Sequence, residues 1–225
     1  YLLHYTHQRI DNYRAHSGVE NNLVNLRSKH QLSGRTTLSF QFNHTSSPLA
    51  LDPGGLTLTE FTTDPSAARS LNVSFDASER LTHTKVGAAL KHEVSARASL
   101  SAYGFYSSRD FDAKLPFESG GQVSLLRSYG GQGFEITTRI GPTLNLQLGY
   151  DWASQRDHRQ RYDNQNGLRG TLNLDQFEQF SSLGSYAIAT LRNNGTLVNG
   201  GVRYDQNRLQ LSNRFTADGD DSDAL

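Results

Sequence analysis

The stretch from Gly141 to Arg156 constrains what the whole chain can fold into. After a Gly141-Pro142 turn, Leu144, Leu146, Leu148, Tyr150 and Trp152 hold one parity, while Asn145, Gln147, Gly149, Asp151 and Gln155 hold the other. A period of two separated this cleanly is a β-strand with one apolar face and one wet face. Alternate positions over this length cover most of a tilted membrane crossing of about 9–11 residues, and the closing aromatic pair falls where an interfacial girdle would sit. A half-buried strand of a soluble β-sandwich fits the same row.

Composition narrows the class. The chain has 225 residues, 22 basic and 22 acidic, so no general electrostatic footprint for nucleic acid exists. A hydrophobic content of 35% argues against a helical membrane protein, and no run of 18 apolar residues occurs. It does not argue against a membrane β-barrel, whose strands show lipid only every second residue. With no cysteine there is neither a disulfide framework nor a thiolate site. The chain opens on Tyr1 with alternation already under way and stops at Leu225 after an acidic run, so both ends read as cut.

Further alternating segments follow the same rule. Residues 1–9 carry a weaker signal, and 22–32 and 37–43 form a hairpin about Ser33-Gly34. Residues 83–91 and 99–106 form another about 94–97, the second strand with poorly separated faces. A strand from about 123 to 140 is interrupted by Gly130-Gly131 and Gly133, and Leu71–Phe75 alternates briefly. Residues 177–191 and 197–215 pair about Asn193-Asn194-Gly195, a strong hairpin signal. Short turns near Gly34, Ser95, Pro142 and Asn194 take turns with long loops at 11–18, 46–69, 110–122, 157–176 and from 217 onward. One rim of tight turns and one of long loops is the habit of an outer-membrane barrel. The predicted fold is all-β, a transmembrane antiparallel barrel of which about nine or ten strands are present.

The segments resemble the barrel of TonB-dependent outer-membrane receptors of the ferric-siderophore type. The resemblance is carried by Asp11-Asn12-Tyr13-Arg14, Asp52-Pro53-Gly54-Gly55-Leu56-Thr57, Arg109-Asp110-Phe111, Gly149-Tyr150-Asp151-Trp152 and Gly201-Val202-Arg203-Tyr204-Asp205, in that order. It implies a barrel of about 22 strands closed by an N-terminal plug. Neither plug nor aromatic-terminated final strand is recognisable, so residues 1–225 read as a middle portion of the barrel. The implied location is the outer membrane of a Gram-negative bacterium. The implied partners are outer-membrane lipid and lipopolysaccharide, a ferric siderophore, and the TonB-ExbB-ExbD system acting through the plug. No cofactor and no catalysed reaction are implied. A passive porin-type channel and a soluble β-rich binding module stay open as alternatives.

Two groups of residues are candidates for function. Arg27, Lys29, Lys85, Lys91, Glu135, Arg139, Asp151, Arg203 and Asp205 share the polar parity of their strands. A cation facing lipid costs about 2–4 kcal/mol at the midplane, so these are expected to face a lumen, against plug, ligand or water. Arg109, Arg127, Tyr129, Arg156, Arg159, Arg161 and Tyr162 are expected on long connections, where arginine forks suit the oxygens of an anionic ferric chelate. A solvated loop balanced by Asp157, Asp163 and Asp175, or contact with lipopolysaccharide, explains the same residues. The eight histidines show no metal-site spacing, and Gly130-Gly131-Gln132-Gly133 lacks the Lys-Ser/Thr of a phosphate loop, so neither a metal site nor catalysis is expected.

Overall fold

A computed structural model describes residues 1–215; the expected last loop and its acidic run, Asp218 to Asp221, lie outside the described residues. Nine strands form one antiparallel sheet in chain order: β1 (Leu2–Ile10), β2 (Val19–Ser33), β3 (Thr36–Leu51), β4 (Ser78–Ser95), β5 (Ala98–Lys114), β6 (Gln122–Ile140), β7 (Leu144–Gln165), β8 (Leu168–Asn193) and β9 (Thr196–Asn213). Each pairs only with its neighbours in sequence, and β1 and β9 do not meet among the described residues. The wall is open.

The strands outrun the alternation that betrays them. β3 continues through residues expected in a long loop. The expected loop at 157–176 is a continuous hairpin, closed by Asn166 (φ 52°) and Gly167 (φ 89°). Asn194 (φ 45°) and Gly195 (φ 83°) close the last hairpin the same way, as a two-residue turn with both residues left-handed requires. The connection expected at 110–122 shrinks to residues 115–121, and β6 runs through Gly130 to Gly133 without interruption. Among the described residues the expected 11–18 loop stands, the longest connection is 52–77, and there Leu71–Phe75 is not strand. This longest connection holds α1 (Leu58–Thr63) and α2 (Ser70–Ser74). Alternation fades above about residue 155 because both faces are wet, while the backbone ladder needs no apolar side chain to continue.

Register sorts the side chains into two faces. Ile140, Leu144 and Leu191 are cross-strand partners, as are Ile136, Leu148 and Ala187, and Leu38, Leu90 and Ala102. This apolar face also carries Tyr106, Phe134, Tyr150, Trp152, Val202 and Tyr204. On the opposite face lie the buried Ser107, Ala113, Leu125 and Asp157, so it is the enclosed, concave side.

Four glycines on the concave face are filled by their neighbours. A Cβ at Gly131 would stand 2.9 Å from Phe105 Cε1, and one at Gly133, Gly149 or Gly184 would overlap Tyr103, Tyr186 or Arg203 respectively. Phe105, Tyr103 and Tyr186 are the direct cross-strand partners of the first three. Their rings lie across the adjacent strand where a side chain would otherwise stand. The glycine run in β6 is therefore a set of ring seats, not a break.

The upper ends of the hairpins are tied by buried amides. Asn164 is fully buried; its Nδ2 donates to Phe75 O (2.9 Å) and Leu115 O (3.0 Å), and its Oδ1 accepts from Gly167 N (2.8 Å). Arg14 donates to Ala67 O (3.0 Å) and Pro53 O (3.2 Å), so the 11–18 loop clamps the long connection. Asp52 accepts from Gly54 N (2.8 Å) and Asn72 Nδ2 (3.0 Å). Replacing Asn164 with Ala strands two carbonyls and is expected to cost about 2–4 kcal/mol locally. Hydrogen exchange should then speed up at residues 115–121 and 166–168 while the lower halves of β6 and β7 keep their protection.

Candidate ligand-facing wall

All nine charges expected to share a face do so. Lys29, Ser39, Ala89, Tyr103, Gly133, Asp151, Gly184 and Asp205 follow one another across the register from β2 to β9. Lys91, Ser101, Glu135, Gly149, Tyr186 and Arg203 form the next row, and Arg27, Lys85 and Arg139 have the same parity. Every one lies on the concave face.

Charge divides this face. On the β7–β9 side, Asp151 accepts from Tyr103 Oη (2.7 Å) and Arg203 Nη1 (3.2 Å), and Arg203 also grips Asp205 (2.9 and 3.0 Å). Arg203 reaches from β9 to β7 across β8 because Gly184 leaves its path clear. Tyr186 Oη donates to Glu135 (2.9 Å). The β2–β5 side is different. Arg27, Lys29 and Lys85 have no acidic partner among the described residues and line a groove of about 610 Å³ with Gln41, Tyr103 and Phe105.

A second row of charge crosses the upper wall. His83, Arg109, Arg127, Asp157 and Glu178 are consecutive register partners on β4 to β8. Arg127 makes a two-pronged pair with Asp157 (Nε to Oδ1 2.8 Å, Nη2 to Oδ2 2.6 Å), whose carboxylate is shielded completely and also accepts from Gln155 (3.1 Å). Those bonds hold the Arg127 guanidinium above its ordinary range. One row higher, Arg159 donates to Glu178 (2.8 Å). Arg109 lies over the Phe111 ring at 5.1 Å, and its buried Nε has no partner among the described residues. Arg161 is exposed and in no ion pair among the described residues. The upper wall thus offers two arginines already matched and two unmatched.

The arginine cluster expected in loops is therefore on strands, and the register parts it. Arg109, Arg127, Tyr129, Arg159 and Arg161 share the concave face. Arg156, a partner of Ser128 and Gln179, and Tyr162, a partner of Gln122 beneath the Arg169 guanidinium, have the opposite parity. Alternation also gives Tyr129 a neighbour that sequence spacing alone could not pair with it: its ring meets Phe105 at 5.1 Å. His83, one of the eight histidines without metal-site spacing, joins this row through its partner Arg109, a placement that a lone histidine in a strand does not signal.

No protein-family profile matches the sequence. Solved structures do resemble the fold. The chain superposes on the ferric citrate transporter FecA in its unliganded form with a TM-score of 0.78, at 18% identity, over 94% of this chain and 33% of that one. It superposes on BauA, the ferric preacinetobactin receptor from Acinetobacter baumannii, with a TM-score of 0.71 at 8% identity, covering 93% of this chain and 37% of that one. For Fiu, the ferric-catecholate import receptor from Escherichia coli K12, the TM-score is 0.62 at 13% identity, with 94% and 37% covered. The fold is that of a portion of a TonB-dependent receptor barrel. The chain spans about a third of the length of each of these three proteins.

His83 supplies a pH test of the upper row. Burial first, then Arg109 and Lys85, push its imidazole below the ordinary histidine range. The unfolded chain therefore takes up this proton more readily, and stability is lost as pH falls from the unfolded value through the depressed folded one. The parent is expected to lose more thermal stability than His83→Gln between about pH 7 and about pH 5. Parallel melting curves for the two would reject this account of the row if they fell in step.

Proposed function

We propose that this chain is part of the wall of an outer-membrane receptor that takes up a ferric siderophore or a similar iron complex into a Gram-negative cell. The observation that carries the reading is the superposition of nearly the whole chain on three iron-complex receptors or transporters. On this reading residues 1–225 are a middle portion of a larger barrel, and the convex apolar rows meet lipid and lipopolysaccharide. The nine concave charges meet the lumen, its plug or its water. Energy comes through TonB-ExbB-ExbD acting on a plug outside this chain. Uptake makes and breaks no covalent bond.

Arg109 and Arg161 are the groups best placed to meet an anionic chelate, with Arg127, Tyr129 and Arg159 beside them. An arginine already matched by a carboxylate has less to give an incoming ligand than one with free donors. Deleting the whole receptor gene is expected to abolish growth on one ferric chelate under iron limitation, across a panel of citrate, hydroxamate and catecholate complexes. Arg109→Gln with Arg161→Gln is expected to raise the half-saturating concentration for radioiron uptake by about tenfold, the scale of one or two charge-assisted hydrogen bonds. Uptake that persists after collapse of the proton-motive force would point to a passive channel instead.

The membrane part of the reading has its own test. Leu148→Arg on the convex face is expected to destabilise the folded protein by about 2–4 kcal/mol in bilayers. Gln147→Arg, one residue away on the concave face, is expected to change stability little. Denaturant titration in lipid vesicles measures both, and equal losses would count against a lipid-facing convex side.

A further inference from the structure

The convex face carries a recess that no neighbouring side chain fills. It has a volume of about 560 Å³, lies at the level where the apolar rows end, and is bordered by Tyr106, Gly130, Trp152, Ser154, Arg156 and Gln179. Tyr106 and Trp152 are 52% and 42% exposed and stand as its walls, while Gly130 and Ser154, direct cross-strand partners, form its floor. The contrast is with the concave face: there Phe105, Tyr103, Tyr186 and Arg203 overlap the glycine seats, whereas a Cβ at Gly130 would meet the Tyr106 ring only at an ordinary contact distance of 3.5 Å.

The rim above the floor is cationic. Arg156 stands one step beyond Ser154 on the same face, exposed and in no ion pair among the described residues. Across β8, Arg208 is the partner of Ser181, which also borders the recess, and it too forms no ion pair among the described residues. The two Cα positions are two strands and one step apart, about 12 Å, within the combined reach of two arginine side chains. An aromatic-walled slot with unmatched arginines at its upper edge is complementary to one kind of molecule on a lipid-facing surface. Such a molecule has an apolar chain below and a phosphate above.

We propose that this recess binds a phosphorylated glycolipid of the surrounding leaflet, its acyl chain between Tyr106 and Trp152 and its phosphate on Arg156, with Arg208 alongside. The proposal rests on the reading of the convex face as lipid-facing. Arg156 is then a lipid ligand and not part of the concave arginine set. Gln179, the cross-strand partner of Arg156, supplies a neutral donor for a sugar hydroxyl.

Native mass spectrometry of the whole receptor in detergent, titrated with bisphosphorylated lipid A and with its phosphate-free counterpart, tests the assignment. The parent is expected to prefer the phosphorylated lipid by about tenfold, and Arg156→Gln to erase most of that preference. Ser154→Phe fills the recess without changing charge and is expected to weaken binding of both lipids. Arg192→Gln, at the opposite rim, is expected to bind as the parent does. A parent with no preference for phosphate overturns the proposal, and so do Arg156→Gln and Ser154→Phe proteins that fold and bind like the parent. Quenching of Trp152 by brominated-acyl phosphatidylcholine, taken as parent minus Trp152→Phe, separates the two levels. Without quenching the lipid-facing reading itself fails; quenching without phosphate preference sinks the recess alone.

Discussion

Register is the constraint on which the rest of this wall depends. A slip of one residue between two strands would exchange their faces and turn Asp151, Glu135 or Arg203 toward the apolar rows. Hydrogen bonds of the ladder alone do not forbid that slip, since every register offers the same backbone groups. Side chains do. Tyr103, Phe105 and Tyr186 each lie across a glycine directly opposite on the next strand, and only one register of β5 on β6 seats Tyr103 and Phe105 together. At the ends, Asn166-Gly167 and Asn194-Gly195 fix the pairing because a two-residue left-handed turn admits no extra residue. Turns set the count, and ring seats hold it over strands of up to 26 residues.

With register fixed, electrostatics on the concave face follows. Arg203 reaches Asp151 only because β8 presents Gly184 between them, so the acid-rich side of the wall is knitted through a gap in side chains. Among the described residues the basic side has no such partners: Arg27, Lys29 and Lys85 line the groove, Lys85 over the Phe105 ring. A carboxylate or an anionic ligand brought to that side gains from charges already positioned, whereas on the β7–β9 side it would compete with existing pairs. The wall therefore distinguishes its two sides to any occupant before contact.

How much of this was legible follows from what each residue had to satisfy. From Leu144 to Trp152 one side must be apolar and the other wet, and there the sequence declares strand, parity and face together. In β5 the two faces look alike because Tyr103 and Phe105, though apolar in type, sit on the concave side over glycines that sequence reading takes for a break. That coupling joins residues about 30 apart and leaves no local trace. Above the apolar band both faces are wet, so alternation vanishes and Asp157 to Gln176 resembles a loop, although Asn166-Gly167 carried the same turn signal that Asn194-Gly195 gave. The shared parity of the nine concave charges was visible because each lies in a strand whose phase its apolar neighbours set. The phase of Arg156 relative to Arg159 and Arg161 depended on the strand continuing, which only the ladder shows.

That continuation bears on what the upper wall can do. An arginine on a free loop loses backbone and side-chain entropy when it meets a ligand, about 1–2 kcal/mol for each residue of backbone that must be ordered. On a strand that ordering belongs to folding, and binding is spared most of it. The ladder also assigns each arginine a direction. Arg109 and Arg161 look into the concavity, and Arg127 and Arg159 are braced there by Asp157 and Glu178. Arg156, three residues from Arg159, looks away. One basic segment thus serves two environments on opposite sides of a single sheet, and the odd spacing between Arg156 and Arg159 is what separates them.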